Sequence, residues 1–280
     1  MTLSAIDFTY LSDILKNRSG LVLTEDKNYL LESRLLPIIR RLKLENITAL
    51  VAQLKKQPSN ELLNEVTEAM TTNETSFFRD SKPFDQFRQI TLPHLIAKGK
   101  NNGKIRIWSA ACSTGQEPYS LAMCAMEEAA KLNGLQIEIV ATDLASHVLK
   151  KADEGLYSQF EVQRGLPITL LVKYFEQRGD KWRVRDNIRP LIQFKPANLL
   201  TDTSHLGQFD MVFCRNVLIY FDVETKGKVL ESIASRMAPH GVLCLGSAET
   251  VYGITTRFKP ASTDEKYRGL YVKQEYNESF

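Results

Sequence analysis

The sequence predicts an α/β protein in which an all-helical N-terminal domain precedes a doubly wound parallel sheet with a small antiparallel insertion. Three observations predict it. Residues 1–72 carry apolar side chains at helical spacing and no strand signal. From Lys104 onward, strand-like and helix-like runs alternate, the pattern of a parallel sheet with helices on both faces. Between Phe160 and Leu200 that alternation lapses into a run better suited to a hairpin. At 280 residues and 43% hydrophobic content, the chain is long enough for one large and one small domain.

The elements follow in order. Ile6, Tyr10, Leu11, Ile14 and Leu15 share one helix face, with Ser4 as N-cap and Gly20 as stop. "EDKNYLLESRLLPIIRRLKL" repeats the pattern, with a kink expected at Pro37. "TALVAQLKKQ" and "NELLNEVTEAM" are two further short helices. "TTNETSFFRD", residues 71–80, breaks the pattern with polar and β-branched residues and reads as a linker, followed by a helix over about 82–98. The expected division is a helical domain over 1–72, linker and helix over 73–99, and the α/β domain over 100–280. In the α/β domain, "KIRIWSA" and "QIEIVATD" are strands, and "EPYSLAMCAMEEAAKLNG" and "ASHVLKKADEGLY" helices. "RGDKWRVRDNIRPLIQFKPANLL" turns at Gly179-Asp180, placing the insertion at about 172–196. "FDMVFCRNVLIYF" contains a strand, "VETKGKVLESIASRMAPHG" is a helix, "GVLCLGS" a strand, and "YRGLYVKQ" a final strand.

Composition removes several function classes. Lys+Arg 36 against Asp+Glu 33 leaves a net charge of +3, too weak to argue for nucleic acid. The opening residues lack the basic start and apolar core of a signal peptide, and no apolar run approaches the ~20 residues of a membrane span. Cys112, Cys124, Cys214 and Cys244 form no C-x-x-C pair, so buried thiols in a reducing cytoplasm are expected, with neither disulfide nor metal site. A cytoplasmic protein without membrane insertion is the expectation.

The stretch "SAACSTGQEPYS", residues 109–120, is small, polar and built around Gly115 at the exit of a strand. In a doubly wound sheet, ligands lie beyond the C-terminal strand ends, where strand order reverses. The next strand ends in "ATD", so Asp143 stands at the same edge, where a carboxylate can accept from both ribose hydroxyls. The loop has one glycine rather than the three of a pyrophosphate-binding turn, and the helix opens with the carboxylate of Glu117. Glu117 would repel a phosphate and attract an ammonium or sulfonium, which favours S-adenosylmethionine over NAD or ATP. The plainer alternative makes Gly115 a tight turn and Asp143 a helix cap. A third strand end, "FDMVFCRNVLIYFD", carries Arg215, Asn216 and Tyr220, which either meet a ligand or merely close the strand and pack in the core. The N-P-P-Y or D-P-P-Y loop typical of methyltransferases acting on exocyclic base nitrogens is absent.

"TTNETSFFRD", "WSAACSTGQEPYSLAM", "ATDLASHVL", "GLP", "KPANLL", "FDMVFCRNVLIYFD" and "GVLCLGSAET" stand in the order and spacing of the chemotaxis receptor methyltransferases, the CheR family, and the resemblance covers essentially the whole chain. It implies a Rossmann-like class I methyltransferase sheet and S-adenosylmethionine-dependent O-methylation of glutamates on the cytoplasmic coiled coil of chemoreceptors, with S-adenosylhomocysteine as product. Carried over residue by residue, it implies cofactor contacts from Asn73, Thr75, Arg79, Glu117, Asp143, Asn198, Leu199, Arg215 and Asn216. By the same resemblance, Arg79 and Tyr220 flank the transferred methyl and the incoming carboxylate. On spacing alone "TTNETSFFRD" is a linker with a helix cap; the resemblance makes it a lid over the cofactor.

The residue inventory fits such chemistry. A glutamate carboxylate, with an ordinary pKa of about 4.3, is already ionised at neutral pH and needs no general base. None of His94, His147, His205 and His240 is among the residues carried over. Orientation alone can supply on the order of 7–11 kcal/mol of barrier lowering. Arg79 is expected to position the acceptor through one contact at most, because a bidentate clamp would blunt the nucleophile.

Arg34, Arg40, Arg41 and Lys43 form a basic run with no acidic residue among them, although residues 1–72 carry nine basic and nine acidic side chains. The run is either a solvated face or a docking patch for an acidic receptor helix. Other acceptors on the same fold, a small molecule or a nucleic acid, are the alternative function, and a non-catalytic cofactor sensor is a third. In this family the hairpin can take a receptor tail peptide as an added strand. Here "RGDKWRVRD" turns within a few residues, and Lys181 and Arg183 are expected near the edge, where charge discourages added strands. Independence of a receptor tail peptide, and a monomer, are therefore expected.

Overall fold

The computed structural model describes residues 3–98 and 103–278. The chain divides into two compact units, Met1–Thr72 with Tyr220–Thr225, and Asn73–Ile219 with Lys226–Phe280.

In the helical unit, the Ser4 hydroxyl accepts from the Asp7 amide at 3.2 Å and opens α1 (Ala5–Ser19), which ends at Gly20 in the left-handed region. Helix α2 (Asn28–Arg41) holds Pro37 within its length. Asn46 and Ser59 cap α3 (Ile47–Lys56) and α4 (Asn60–Met70). The periodic apolar residues Leu11, Leu15, Leu31, Leu35, Leu50 and Val66 meet in one core and are fully buried. Residues 220–225 group with these helices: the Val22 amide donates to the Tyr220 carbonyl at 3.1 Å, and Lys16 pairs with Asp222 at 2.8 Å.

The helix expected over about 82–98 is present as α5 (Lys82–Gln86), a π-helical turn over Phe87–Thr91 and α6 (Leu92–Lys98) in direct succession. The Thr91 hydroxyl donates to the Gln86 and Phe87 carbonyls, each at 3.3 Å, within that widened turn. Then come β1 (Lys104–Ala110), α7 (Gln116–Glu127), β2 (Gln136–Asp143) and α8 (Ser146–Glu154). A small segment follows: β3 (Leu156–Ser158), α9 (Gln159–Gln163), α10 (Ile168–Tyr174), β4 (Phe175–Arg178) and β5 (Lys181–Val184). The chain ends with β6 (Ile192–Pro196), β7 (Phe209–Cys214), α11 (Val223–Arg236), β8 (Met237–Leu245), β9 (Phe258–Pro260) and β10 (Leu270–Lys273).

The main sheet has the order β6-β2-β1-β7-β8-β10-β9. Its first five strands are parallel, and β10 runs antiparallel to both β8 and β9. Helix-covered parallel strands bury both faces, which explains their near-continuous apolar runs: Ile105, Ile107, Ile139, Met211, Phe213 and Val242 are all inaccessible to solvent. Strand order reverses between β1 and β7, so the crevice of this fold opens beyond their C-terminal ends. Among the described residues no helix is long and apolar enough to cross a membrane, and all four cysteines are buried free thiols.

Four local expectations change. Residues 192–196 are not part of the insertion, expected at about 172–196, but pair with β2 as the edge of the main sheet. The small sheet instead recruits Leu156–Ser158 and has the order β3-β5-β4. Tyr157, expected at a helix end, therefore lies on a strand: Gly155 adopts φ 62 and terminates α8 two residues earlier. Lys181 and Arg183 lie on the central strand β5, not at an edge; Glu176 and Arg178 occupy the edge strand β4. Finally, β8 starts at Met237, ahead of the predicted "GVLCLGS", with a register shift opposite Phe209 and Met211. Pro239, which has no N–H for the ladder, falls in that irregular stretch.

Candidate active site

The loop leaving β1 is shaped by backbone rather than by side-chain bulk. Ala111, Ser113 and Gly115 have φ of 56°, 51° and 93°, and the Cys112 amide donates to the Thr142 carbonyl at 2.9 Å. At Gly115 a Cβ would lie 2.8 Å from the Ala152 Cβ and 3.0 Å from the Tyr157 hydroxyl. The protein itself thus demands glycine there, through conformation and close packing together.

Asp143 ends β2 and is buried. Its Oδ2 accepts from the Ser113 amide at 2.8 Å and its Oδ1 from the Ala145 amide at 2.9 Å, so it ties the β1 loop to the β2 loop. Burial pushes its pKa up, and the Ala145 and Ser113 amides oppose that shift. The Leu144 amide also bonds this carboxylate, and of a carboxylate's roughly four acceptor sites these three amides leave one open. The cap role and the ligand role are therefore compatible.

Glu117, in the first turn of α7, accepts from the Ser109 hydroxyl at 2.8 Å and from Arg215 Nη1 at 3.0 Å. Arg215, just beyond β7, has a side chain only 2% exposed. Its Nη2 donates to the Arg79 carbonyl at 2.7 Å and to Asp80 Oδ2 at 2.9 Å. One guanidinium beyond β7 thus joins the first turn of α7 to the 73–80 segment, with a carboxylate from each against it. Its Nε is buried and finds no hydrogen-bond partner among the described residues. The turn it holds is strained, with Phe78, Asp80 and Ser81 at φ 49°, 67° and 40°.

The 73–80 segment is anchored at several points. The Ser113 hydroxyl donates to the Asn73 carbonyl at 2.7 Å, and the Phe78 amide donates to the Ser120 hydroxyl at 3.0 Å. Thr75 and Arg79 are half-buried, and Arg79 Nη1 donates to the Glu74 carbonyl at 2.9 Å. Beyond β6, the Ala197 amide donates to the Asp143 carbonyl at 3.0 Å, which brings the half-buried Asn198 and Leu199 to the end of β2. Asn216, half-buried at φ 58°, follows Arg215. Asn73, Arg79, Glu117, Asp143, Asn198, Leu199, Arg215 and Asn216 thus gather around the C-terminal ends of β1, β2, β6 and β7, Glu117 from the first turn of α7 and Asp143 from the last position of β2.

Tyr220 belongs by its contacts to the helical unit and is half-buried there. In that unit the basic run divides. Arg34 Nη1 donates to the carbonyls of Met70 and Thr71 at 2.7 and 3.1 Å, and its Nη2 to the Thr72 hydroxyl at 3.1 Å. It closes the C-terminus of α4, where carbonyls lack helical partners. Arg41 pairs with Glu65. Arg40 and Lys43 are exposed.

Three residues at this rim are not reached by reading the sequence. Phe77 is fully buried, with its ring 5.0 Å from that of Tyr157 and 5.5 Å from that of Phe175. The Tyr157 hydroxyl donates to the Thr114 carbonyl at 2.7 Å. Glu249 accepts from the amides of Asn216, Val217, Leu218 and Gly246. The double aromatic in "SFF" and the acid three residues beyond a strand-end glycine are the only local signals.

A buried carboxylate with a spare acceptor site at the end of β2, a single-glycine loop, and a carboxylate opening α7 fit a nucleoside bearing a positive centre and do not fit a pyrophosphate. Fold and site together define an S-adenosylmethionine-dependent methyltransferase of the class I type. The family model described as the CheR methyltransferase all-alpha domain matches residues 6–71, and that described as the CheR methyltransferase SAM binding domain matches residues 73–267. A chemotaxis protein methyltransferase of Vibrio parahaemolyticus is 39% identical over 262 residues, covering 92% of this chain and 94% of its own length. Chemotaxis protein methyltransferase 1 of Pseudomonas aeruginosa is 40% identical over 264 residues, covering 92% and 95%. That of Borreliella burgdorferi is 37% identical over 253 residues, covering 88% and 89%. The chain belongs to the CheR family of chemotaxis methyltransferases, and its cofactor is S-adenosylmethionine.

Proposed function

We propose that this enzyme methylates glutamate side chains on the cytoplasmic helices of chemoreceptors, forming methyl esters. The observation that carries the reading is the match to both family domains along one chain, 6–71 and 73–267, together with the chemotaxis names of the relatives. Bound S-adenosylmethionine supplies an electrophilic methyl group on a sulfonium. Asp143 holds the ribose through the acceptor site left by the Ser113, Leu144 and Ala145 amides. Asn198 and Leu199 meet the adenine. Glu117 places negative charge near the sulfonium, and Arg215 keeps Glu117 in place. Arg79 orients the acceptor carboxylate, which is ionised at neutral pH and requires no base. Transfer then depends on alignment rather than on proton removal.

Arg40 and Lys43 are the docking charges of the helical unit, while Arg34 and Arg41 serve mainly its own structure. The enzyme does not depend on a receptor tail peptide: its hairpin turns in two residues between Arg178 and Lys181, and Glu176 and Arg178 charge the edge strand β4. Incubation with labelled S-adenosylmethionine and receptor-containing membranes should yield base-labile methyl esters on receptors. Label appearing instead on nucleic acid or a small molecule would defeat the reading. Micromolar binding of an aromatic-ended tail peptide would defeat the tail-independent part alone.

A further inference from the structure

Glu249 has no part in the reading above, yet it ties the C-terminal ends of β7 and β8 together. It is 9% exposed. Its Oε1 accepts from the Val217 amide at 2.8 Å and the Leu218 amide at 2.7 Å. Its Oε2 accepts from the Asn216 and Gly246 amides, both at 2.8 Å. Its own amide donates to the Gly246 carbonyl at 3.0 Å and closes the turn.

Three of the four donors are consecutive amides that start at a left-handed residue, Asn216 at φ 58°. Consecutive N–H groups in such a turn converge on one point and form an anion-binding concavity. Here the chain's own carboxylate fills it. Gly246 makes room: a Cβ there would lie 2.7 Å from Glu249 Oε2 and 3.2 Å from Asn216 Nδ2. A left-handed backbone at a non-glycine residue persists only where its surroundings over-determine it. The carboxylate of Glu249 supplies that constraint directly after Arg215, whose guanidinium holds Glu117 and Asp80.

We propose that Glu249 is a positioning residue, an internal anion that occupies the amide nest beyond β7 and thereby holds Arg215 and Asn216 in the geometry that binds the cofactor. The inference rests on the reading of Arg215 and Asn216 as part of the cofactor site. It requires no contact between Glu249 and the cofactor or the acceptor.

The test is chemical rescue. Calorimetry should show Glu249→Ala binding S-adenosylhomocysteine about tenfold more weakly, the scale of lost hydrogen bonds to a charged acceptor. Formate, small enough to enter the vacated nest, should restore affinity saturably at constant ionic strength, while neutral formamide should not. Glu249→Gln should be weakened and not rescued, because its amide fills the space and turns N–H donors against two of the four amides. Wild-type affinity in both variants overturns the proposal, as does a loss in a folded Glu249→Ala protein that formate leaves unchanged. Should the alanine variant fail to fold, Glu249→Gln decides: weakened binding supports the proposal and normal binding overturns it. If the wild-type enzyme binds S-adenosylhomocysteine but does not methylate receptors, the acceptor reading fails, and the calorimetric comparison still decides the role of Glu249.

Discussion

Asp143 anchors two loops through the Ser113 and Ala145 amides and, in the proposed function, also holds the ribose; variants can separate the two roles. Asp143→Asn keeps an acceptor for one of the two amides but loses the charge that favours ribose hydroxyls. Cofactor affinity should fall by roughly 1.5–3 kcal/mol in calorimetry, the range for a hydrogen bond to a charged group. Asp143→Ala removes the acceptor of both Ser113 and Ala145. It should lower the melting temperature further than Asp143→Asn does, because two buried amides lose their partner. Equal melting temperatures would count against the anchoring role. Arg79→Ala should reduce methyl transfer more than cofactor affinity, since its proposed partner is the attacking carboxylate; a loss of affinity with normal turnover at saturation would remove that assignment.

At the scale of elements, the 73–80 segment and the small sheet share a core. Phe77 packs against Tyr157 and Phe175, and Tyr157 also supports the β1 loop through Thr114. Phe77→Ala should cost about 3–5 kcal/mol in denaturant unfolding and weaken cofactor binding as well, because the segment loses its buried anchor. The helical unit offers a complementary experiment. Arg34→Ala should destabilise, by about 1–3 kcal/mol, as the carbonyls of Met70 and Thr71 lose their donor. Arg40→Glu combined with Lys43→Glu should leave melting unchanged and raise the Michaelis constant for receptor, with wild-type activity falling as salt is added. Salt-independent kinetics would argue against an electrostatic docking face.

For the whole molecule, acid should be the weak side of the stability profile. Glu127 lies below the usual carboxylate range first through its hydrogen bond from Lys173, and Glu128 first through its hydrogen bond from Lys131. A depressed folded pKa means that the unfolded chain binds more protons, so stability rises with pH across the interval. The stabilisation is complete above the unfolded value of about 4.3 and is lost as pH falls through the lower folded values. Melting temperatures measured between pH 6 and pH 3 should therefore hold and then drop below about pH 4.3. Burial pushes the Cys124 and Cys244 thiols up to about 12 and Cys112 and Cys214 well above their ordinary value, so all four should resist thiol reagents until the protein unfolds.

The sequence by itself determined the helical domain, the alternating sheet, the positions of Asp143 and Arg215 at strand ends and that of Glu117 at a helix start, because periodicity and element termini are local properties of the chain. "TTNETSFFRD" drew attention as a binding segment only through its family resemblance, since its spacing alone reads as a linker. Tertiary structure decided what long-range contacts decide. Residues 192–196 became a sheet edge because β2 had an open side. Lys181 and Arg183 moved to a central strand because Leu156–Ser158 paired with β5. Arg34 turned inward because α4 ended beside it with unpaired carbonyls. Glu249 found its four amides on two strand ends that lie far apart in sequence, and no local pattern records a hydrogen bond between segments more than thirty residues apart.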